Sequence, residues 1–161
     1  MRTTDDLIRM ATPTTAKEAS VLREFSEHYR ANPELFPFLE RHALKQVRKF
    51  GWVCFDAAWA GALMELRIPG GPEFKLTAKL KAWYVRAILY GNSDLNGWLE
   101  MRRAAPDSVF GMAVAKKLPG DYAGRLEWRD GRPLTDAPTQ LMKKAARSVR
   151  PAQAELFEVA G

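Results

Sequence analysis

Two carboxylates and a lysine near the middle of the chain are residue types that could support metal-assisted hydrolysis. Glu73 and Lys75 are separated by one residue, and Asp56 lies upstream of them. Two carboxylates can hold Mg²⁺ while a nearby lysine positions the attacking water. That motif normally lies on adjacent strands, whereas Asp56 is predicted to cap a helix and Glu73 follows a Pro-Gly loop. A metal-dependent nuclease is therefore the third of three hypotheses.

The other residues that could catalyse a reaction or bind a metal are isolated. His28 and His42 lie on different predicted helices, without a Cys, His or carboxylate at zinc-ligand spacing. Cys54 lies between Val53 and Phe55, a context that predicts a small buried side chain. The sequence contains no G-x-x-x-x-G-K-[ST], G-x-G-x-x-G or G-x-S-x-G motif. We therefore expect no cofactor, no metal and no enzymatic activity.

Composition and length predict a single packed domain. The chain has 161 residues, 47% of them hydrophobic and 11% aromatic, which is sufficient for a core. No apolar run approaches the roughly 18 residues that span a bilayer, and the polar start of the chain is not a secretory signal. The one cysteine excludes an internal disulfide framework. We expect a cytoplasmic protein without a membrane partner.

Positive charge is concentrated in two blocks. The net charge is +6, and residues 41–90 alone carry nine basic and three acidic side chains. Residues 102–150 carry eleven basic and five acidic side chains, whereas the remaining segments are slightly acidic. Such segmentation is typical of nucleic-acid-binding proteins, although a solvated helical bundle would also tolerate it.

Hydrophobic periodicity and capping signals predict a mainly α fold of five to seven helices. Residues 1–14 are expected to form a flexible arm, and residues 15–150 the helical domain. A capping box at Thr15 starts the first long helix, Gly51 ends the second, and a Pro-Gly break at 68–72 precedes a helix over 74–90. The Asp130-Gly131 pair predicts a β-hairpin over 124–134. For 107–118, helix is favoured over strand.

The three predicted helices within 41–90 suggest a helix-turn-helix-like unit, although the loop at 68–73 is longer than a strict motif allows. Its last helix would enter the major groove of DNA. Trp83 is assigned to the core of that helix, and the basic side chains on its flank and on neighbouring helices would contact phosphates. The predicted nucleic-acid-binding residues are Arg41, Lys45, Arg48, Lys75, Lys79, Arg86, Lys143, Arg147 and Arg150.

The end of the chain resembles a known docking peptide. Gln153-Ala154-Glu155-Leu156-Phe157 is similar to the Q-x-x-L-F peptide by which many proteins bind the bacterial sliding clamp. The resemblance implies that Gln153, Leu156 and Phe157 contact such a partner from a C-terminal tail at 151–161. The alternative is that Leu156 and Phe157 pack onto the domain itself.

Residues 35–103 resemble small basic proteins encoded by phages and mobile elements. The similarity is carried by Phe74-Lys75-Leu76, Tyr84-x-Arg86, Gly97-Trp98 and Met101-Arg102. It implies a mobile-element origin and no particular activity.

Three functions stay open from the sequence. The first is a non-enzymatic protein that binds nucleic acid, most simply DNA, mainly through the phosphate backbone. The second is a protein-binding module or inhibitor that acts on a nucleic-acid-processing or defence complex. The third is the nuclease.

Overall fold

The computed structural model describes residues 2–66, 73–99, 101–115 and 125–134. As predicted, the fold is mainly helical with one small antiparallel pair of strands. The helices are α1 (Thr4–Met10), α2 (Ala16–Ala31), α3 (Leu35–Phe50), α4 (Phe55–Leu66), α5 (Glu73–Gly91) and α6 (Ala105–Phe110), with a 3₁₀ turn at Ser93–Leu95. The strands are β1 (Met112–Val114) and β2 (Leu126–Trp128).

Helix α5 is the central element of the core. Every residue from 83 to 90 is buried, including the charged Arg86. A helix that is apolar on all sides must be surrounded by other elements. Accordingly, α5 packs against α1, α3 and α6. Its aromatic rings also reach Phe25 of α2 and Trp59 of α4.

Aromatic rings form the centre of this core. The Phe25 ring lies 5.7 Å from Trp83 and 5.1 Å from Tyr84, measured between ring centroids. Phe110 packs edge-on against Trp83 at 5.3 Å. These centroid separations fall within the range that aromatic pairs prefer. Trp83 is only 1% exposed, so its assignment to the core is confirmed.

The N-terminal segment differs from the expected flexible arm at 1–14. Residues 4–10 form α1, whose first turn is closed by a capping box between Thr3 and Asp6. Leu7 is fully buried in the core, and the Arg2 guanidinium lies 5.4 Å from the Tyr90 ring centroid. The prediction was wrong here because seven residues are too few to show a clear helical period, whereas tertiary packing stabilises the short helix.

Two helix ends agree with the sequence signals. The backbone N–H of Glu18 donates to the Thr15 hydroxyl at 3.1 Å, which caps α2. Gly51 ends α3 with φ of 74°, a left-handed conformation that glycine adopts without strain.

The strand pairing is partly as predicted. Gly131 has φ of 85°, and its N–H donates to the Trp128 carbonyl at 2.9 Å, which confirms a turn at Asp130-Gly131. Across this turn there is one bridge, between Glu127 and Pro133. The main partner of β2 is instead β1, which lies within residues 107–118, where the sequence favours helix. Gly111, with φ of 68°, ends α6 and allows the chain to become extended.

Candidate nucleic-acid interface

The outer face of α3 presents four cations side by side. Arg41, Lys45 and Arg48 follow the i, i+4, i+7 spacing that places residues on one face of a helix, and Lys49 extends this face. All four are exposed. We call these four residues the α3 basic face. A rigid helix therefore holds three of the predicted contact residues together, as the sequence indicated.

The opposite side of α3 fixes the orientation of this face. Leu39, Ala43 and Val47 are buried in the core. The next helix, α4, approaches so closely that a Cβ added at Gly61 would lie 2.9 Å from the His42 ring. Because α3 is held on its inner side by this packing, its cations must point outward.

The α3 basic face has no acidic partner among the described residues. The ion pairs within the described part of the chain involve none of its four members. Glu40, the acidic residue next to Arg41, instead accepts a hydrogen bond from the Asn92 side chain at 2.7 Å. Uncompensated cations on one face create a local positive potential that attracts anions.

Nearby rings contact two of these cations. The Arg41 guanidinium lies 4.7 Å from the centroid of Phe38, and the Lys49 ammonium lies 5.2 Å from that of Phe50. Leu44 and the four cations line an open depression on the surface. Arg48 and Lys49 also lie in the last turn of α3, where they offset the negative end of the helix dipole. That structural role does not extend to Arg41 or Lys45.

Arg86 is a correction to the predicted interface. It is 3% exposed, and its guanidinium forms a two-point ion pair with Asp107 of α6, at 2.7 and 3.2 Å. It also donates to the Arg102 carbonyl at 2.8 Å. Arg86 therefore cannot share a surface with Lys79. Residues 83–90 of α5 are enclosed by the protein, so this part of the helix cannot enter the major groove as expected.

Lys79 is exposed as expected, but its charge is already compensated. Its ammonium lies 3.0 Å from the Glu24 carboxylate, and that of the neighbouring Lys81 lies 2.9 Å from Asp56. Lys75 lies in the first turn of α5, and its contact with nucleic acid remains a sequence-based prediction. The basic flank predicted on α5 is thus not assembled among the described side chains.

Several predicted residues lie outside the described part of the chain. They are the basic residues Lys143, Arg147 and Arg150 and the tail residues Gln153, Leu156 and Phe157. The nucleic-acid and clamp-binding roles assigned to them remain sequence-based predictions.

The two carboxylates of the nuclease-like fragment lie on helices. Asp56 lies on α4 and Glu73 begins α5, whereas the motif normally lies on adjacent strands. The Asp56 carboxylate is paired with Lys81. Within residues 2–66, 73–99, 101–115 and 125–134, no group of three or more His, Cys, Asp or Glu residues is placed to hold a metal ion.

The two histidines have contacts inside the protein. His28 Nδ1 lies 2.6 Å from the Tyr84 hydroxyl, and burial raises the pKa of that tyrosine above its usual value. His42 Nε2 lies 3.3 Å from a carboxylate oxygen of Glu65. Both contacts join different helices.

Two aromatic residues beside the α3 basic face were not predicted to be exposed. The helical period places Phe50 on the inner stripe of α3, yet it is 55% exposed, and Trp52 is 41% exposed. The sequence contained a signal for Phe50: it precedes the helix-ending Gly51, where the chain turns away and the helical period no longer determines burial.

Comparison with protein-family models, with curated proteins and with solved structures found no match to this chain. Among the helices in the described ranges, none is long and apolar enough to cross a membrane.

Proposed function

We propose that this protein binds nucleic acid, without cleaving it, through the phosphate backbone and the α3 basic face. The observation that carries this proposal is the presence of four exposed cations on one rigid helix face without an acidic partner in the described structure. Cations that neutralise phosphates release counterions, which makes affinity fall steeply as salt rises.

The chemistry of the face favours backbone contacts over base recognition. Lysine and arginine can each bind a phosphate, and arginine does so in a two-point geometry. Bases in the major groove are recognised mainly by arginine, asparagine and glutamine that protrude from an inserted element. Here the one amide on α3, Gln46, is half-buried and accepts a hydrogen bond from the Cys54 N–H at 2.9 Å. Binding should therefore depend weakly on sequence.

A salt titration tests the proposal directly. Duplex DNA of mixed sequence would be titrated by fluorescence anisotropy from low to physiological salt. Each neutralised phosphate contributes about −0.9 to the slope of log affinity against log salt on duplex DNA. The triple variant Arg41→Gln, Lys45→Gln, Arg48→Gln should lower the affinity and make the slope shallower by about 0.9 for each phosphate that is no longer neutralised.

The matched control removes charge elsewhere on the surface. Lys79→Gln and Lys81→Gln together eliminate two lysines that already have carboxylate partners. This control should retain most of the slope. An equal decrease of affinity in both variants would show that net charge alone drives binding. Absence of binding at low salt would overturn the proposal and favour the protein-partner hypothesis.

Cleavage is tested in the same samples. The protein is expected to leave DNA and RNA intact when it is incubated with Mg²⁺ or Mn²⁺. Cleavage that Glu73→Gln abolishes would instead establish the nuclease.

Docking of the tail on the bacterial sliding clamp is a separate proposal that rests on Gln153, Leu156 and Phe157 alone. A peptide of residues 150–161 should bind the clamp weakly, because ordering a short chain opposes a small contact. Deletion of 151–161 should leave thermal stability nearly unchanged. No clamp binding, together with a destabilised deletion variant, would assign the tail to the protein's own packing.

A further inference from the structure

One cation of the α3 basic face lies against an aromatic ring of the same helix. Phe38 precedes Arg41 by three residues, and the Arg41 guanidinium is 4.7 Å from the centroid of its ring. Residues at i and i+3 are neighbours on a helix surface, and long helical side chains lean toward the N-terminus. Arg41 therefore extends toward the ring rather than freely into water.

This contact keeps the guanidinium on the α3 basic face. At about 100° per residue, Phe38 lies about 60° around the helix from Arg41, and Lys45 lies about 40° from Arg41 in the same direction. Phe50, by contrast, lies about 180° from Arg41, so the contact between Lys49 and Phe50 draws that ammonium toward the other side of α3. Arg41 is thus the cation that a ring holds beside its basic neighbours.

The fold fixes the ring and leaves the charge accessible. Phe38 is half-buried and packs against the hydrophobic core, so its ring is in place before any ligand binds. Arg41 is exposed and can meet an external anion. A side chain that becomes immobilised on binding loses rotamer freedom, which weakens affinity. Contact with a fixed ring reduces this loss, because the guanidinium is already restricted in the free protein.

We propose that Phe38 is a positioning residue for nucleic-acid binding, which holds the Arg41 guanidinium ready to contact a phosphate. This inference rests on the proposed function and adds a residue to its site. Arginine can bind a phosphate through two parallel N–H bonds, a geometry that requires an oriented guanidinium. At exposed sites, the attraction between a cation and a ring corresponds to about a two- to fivefold change in an equilibrium constant.

The main alternative is that the contact serves folding alone. Arginine stems often cover apolar surface while the guanidinium stays in water, so Arg41 would then only shield Phe38. Shielding needs no uncompensated charge, yet none of the ion pairs in the described part of the chain involves Arg41. This observation favours the role in binding.

The test is a double-mutant cycle on the affinity for mixed-sequence duplex DNA at one low salt concentration. Phe38→Leu keeps an apolar side chain and should lower the affinity about two- to fivefold. In the Arg41→Gln background the same change should have no further effect, because no guanidinium remains to be positioned. Phe38→Tyr keeps a ring and should retain the wild-type affinity.

Two controls separate this coupling from a general effect on α3. Arg48→Gln is the matched background, because Arg48 lies on the same face about 15 Å along the helix axis from Phe38. There, Phe38→Leu should keep its full effect. Phe50→Leu removes the ring that Lys49 contacts and should change the affinity by less than about twofold.

An equal decrease from Phe38→Leu in the wild-type and Arg41→Gln backgrounds would overturn the positioning role and assign Phe38 to packing. Unchanged affinity in Phe38→Leu would also overturn it. Circular dichroism checks that each variant is folded at the assay temperature, and Phe38→Met replaces Phe38→Leu in the cycle if the latter is not. If the variant Arg41→Gln, Lys45→Gln, Arg48→Gln still lowered the affinity, the proposed function would stand without this inference. Absence of wild-type binding at low salt would overturn both.

Discussion

Helices α3 and α5 both carry basic residues among apolar ones, but the structure gives these cations opposite environments. On α3, Arg41, Lys45 and Arg48 are exposed and have no acidic partner in the described chain. On α5, Arg86 is buried and held by Asp107 from α6. A cation on α3 is therefore available to an external anion, whereas Arg86 has an internal one.

The difference follows from the width of the apolar surface on each helix. Apolar residues of α3 occupy one side, which leaves the other side for solvent. From residue 82 to 90 of α5, Arg86 is the one charged residue in AWYVRAILY. A segment that is apolar on all sides is enclosed by neighbours, so a cation within it must be buried and needs a counter-charge. A basic residue thus indicates a binding surface only where the helix has a polar side.

The largest effect on stability is expected from Arg86→Met. This change leaves the Asp107 carboxylate buried without its partner, which typically costs about 3–5 kcal/mol. For a chain of this size, the melting temperature should fall by roughly 6–20 °C. Thermal unfolding followed by circular dichroism would measure the change.

The double variant Arg86→Met, Asp107→Asn serves as the control for this prediction. It removes both charges, while the new amide can still accept the Ala104 N–H that Asp107 now caps at 2.9 Å. It should be more stable than Arg86→Met alone. If Arg86→Met melted at the same temperature as the wild type, Arg86 would be a surface cation. The cations of α3 and α5 would then not differ in environment.

A smaller decrease in stability is expected from Tyr84→Phe, which removes a second polar group buried on α5. The hydroxyl is hydrogen-bonded to His28 Nδ1 at 2.6 Å, and removal of such a bond costs about 0.5–1.5 kcal/mol. Urea unfolding at neutral pH would measure it.

The pH dependence of Tyr84→Phe provides an independent check. Burial raises the folded-state pKa of Tyr84 above the unfolded value of 10.0. The stabilisation that comes from keeping the phenol protonated is therefore complete below pH 10 and is lost as the pH rises beyond it. The wild type should lose more stability than the variant as the pH is raised from below to above that unfolded value. Equal decreases would mean that the phenol is not buried as described.

The sequence predicted the helical class and the α3 basic face because both depend on local periodicity. Thr15, Gly51 and the Asp130-Gly131 turn were also predictable, since caps and turns need only neighbouring residues. The Arg86–Asp107 pair could not be predicted in this way. Its members are 21 residues apart and meet only when α5 and α6 pack. The α1 helix was missed for the same reason, because its stability depends on the burial of Leu7.

The exposed rings show a second limit of periodicity. Phe50 fits the inner stripe of α3 on a helical wheel, but it is the last residue of that helix. Beyond it the chain turns at Gly51, and the ring is left more than half exposed. Which end of a helix is covered by neighbouring elements is a property of the tertiary fold.

A still smaller effect is expected where an exposed cation has a partner. Lys79 and Glu24 are 3.0 Å apart, with the lysine side chain 54% exposed. Solvent screens such pairs, and their coupling is typically about 0.2–1 kcal/mol. A double-mutant cycle with Lys79→Ala and Glu24→Ala should give a value in this range that decreases in high salt. A coupling of several kcal/mol would mean that the Lys79–Glu24 pair is as strongly coupled as the buried Arg86–Asp107 pair.

An effect of the opposite sign is expected from Lys45→Glu on the α3 basic face. Lys45 has Arg41, Arg48 and Lys49 at i−4, i+3 and i+4, and like charges at these spacings destabilise a helix by about 0.2–0.5 kcal/mol per pair. The new carboxylate would turn repulsion into attraction at all three pairs, which amounts to about 1–3 kcal/mol at low salt, so the melting temperature should rise by roughly 2–12 °C. Nucleic-acid affinity should fall in the same variant.

Lys79→Glu is the matched control: it places a carboxylate next to Glu24 and should lower the melting temperature. Opposite shifts that both shrink at high salt would show that α3 maintains a repulsive charge cluster at the expense of stability, as a binding surface does. If Lys45→Glu lowered the melting temperature as Lys79→Glu does, Lys45 would have an internal partner and the α3 basic face would be as structural as Arg86.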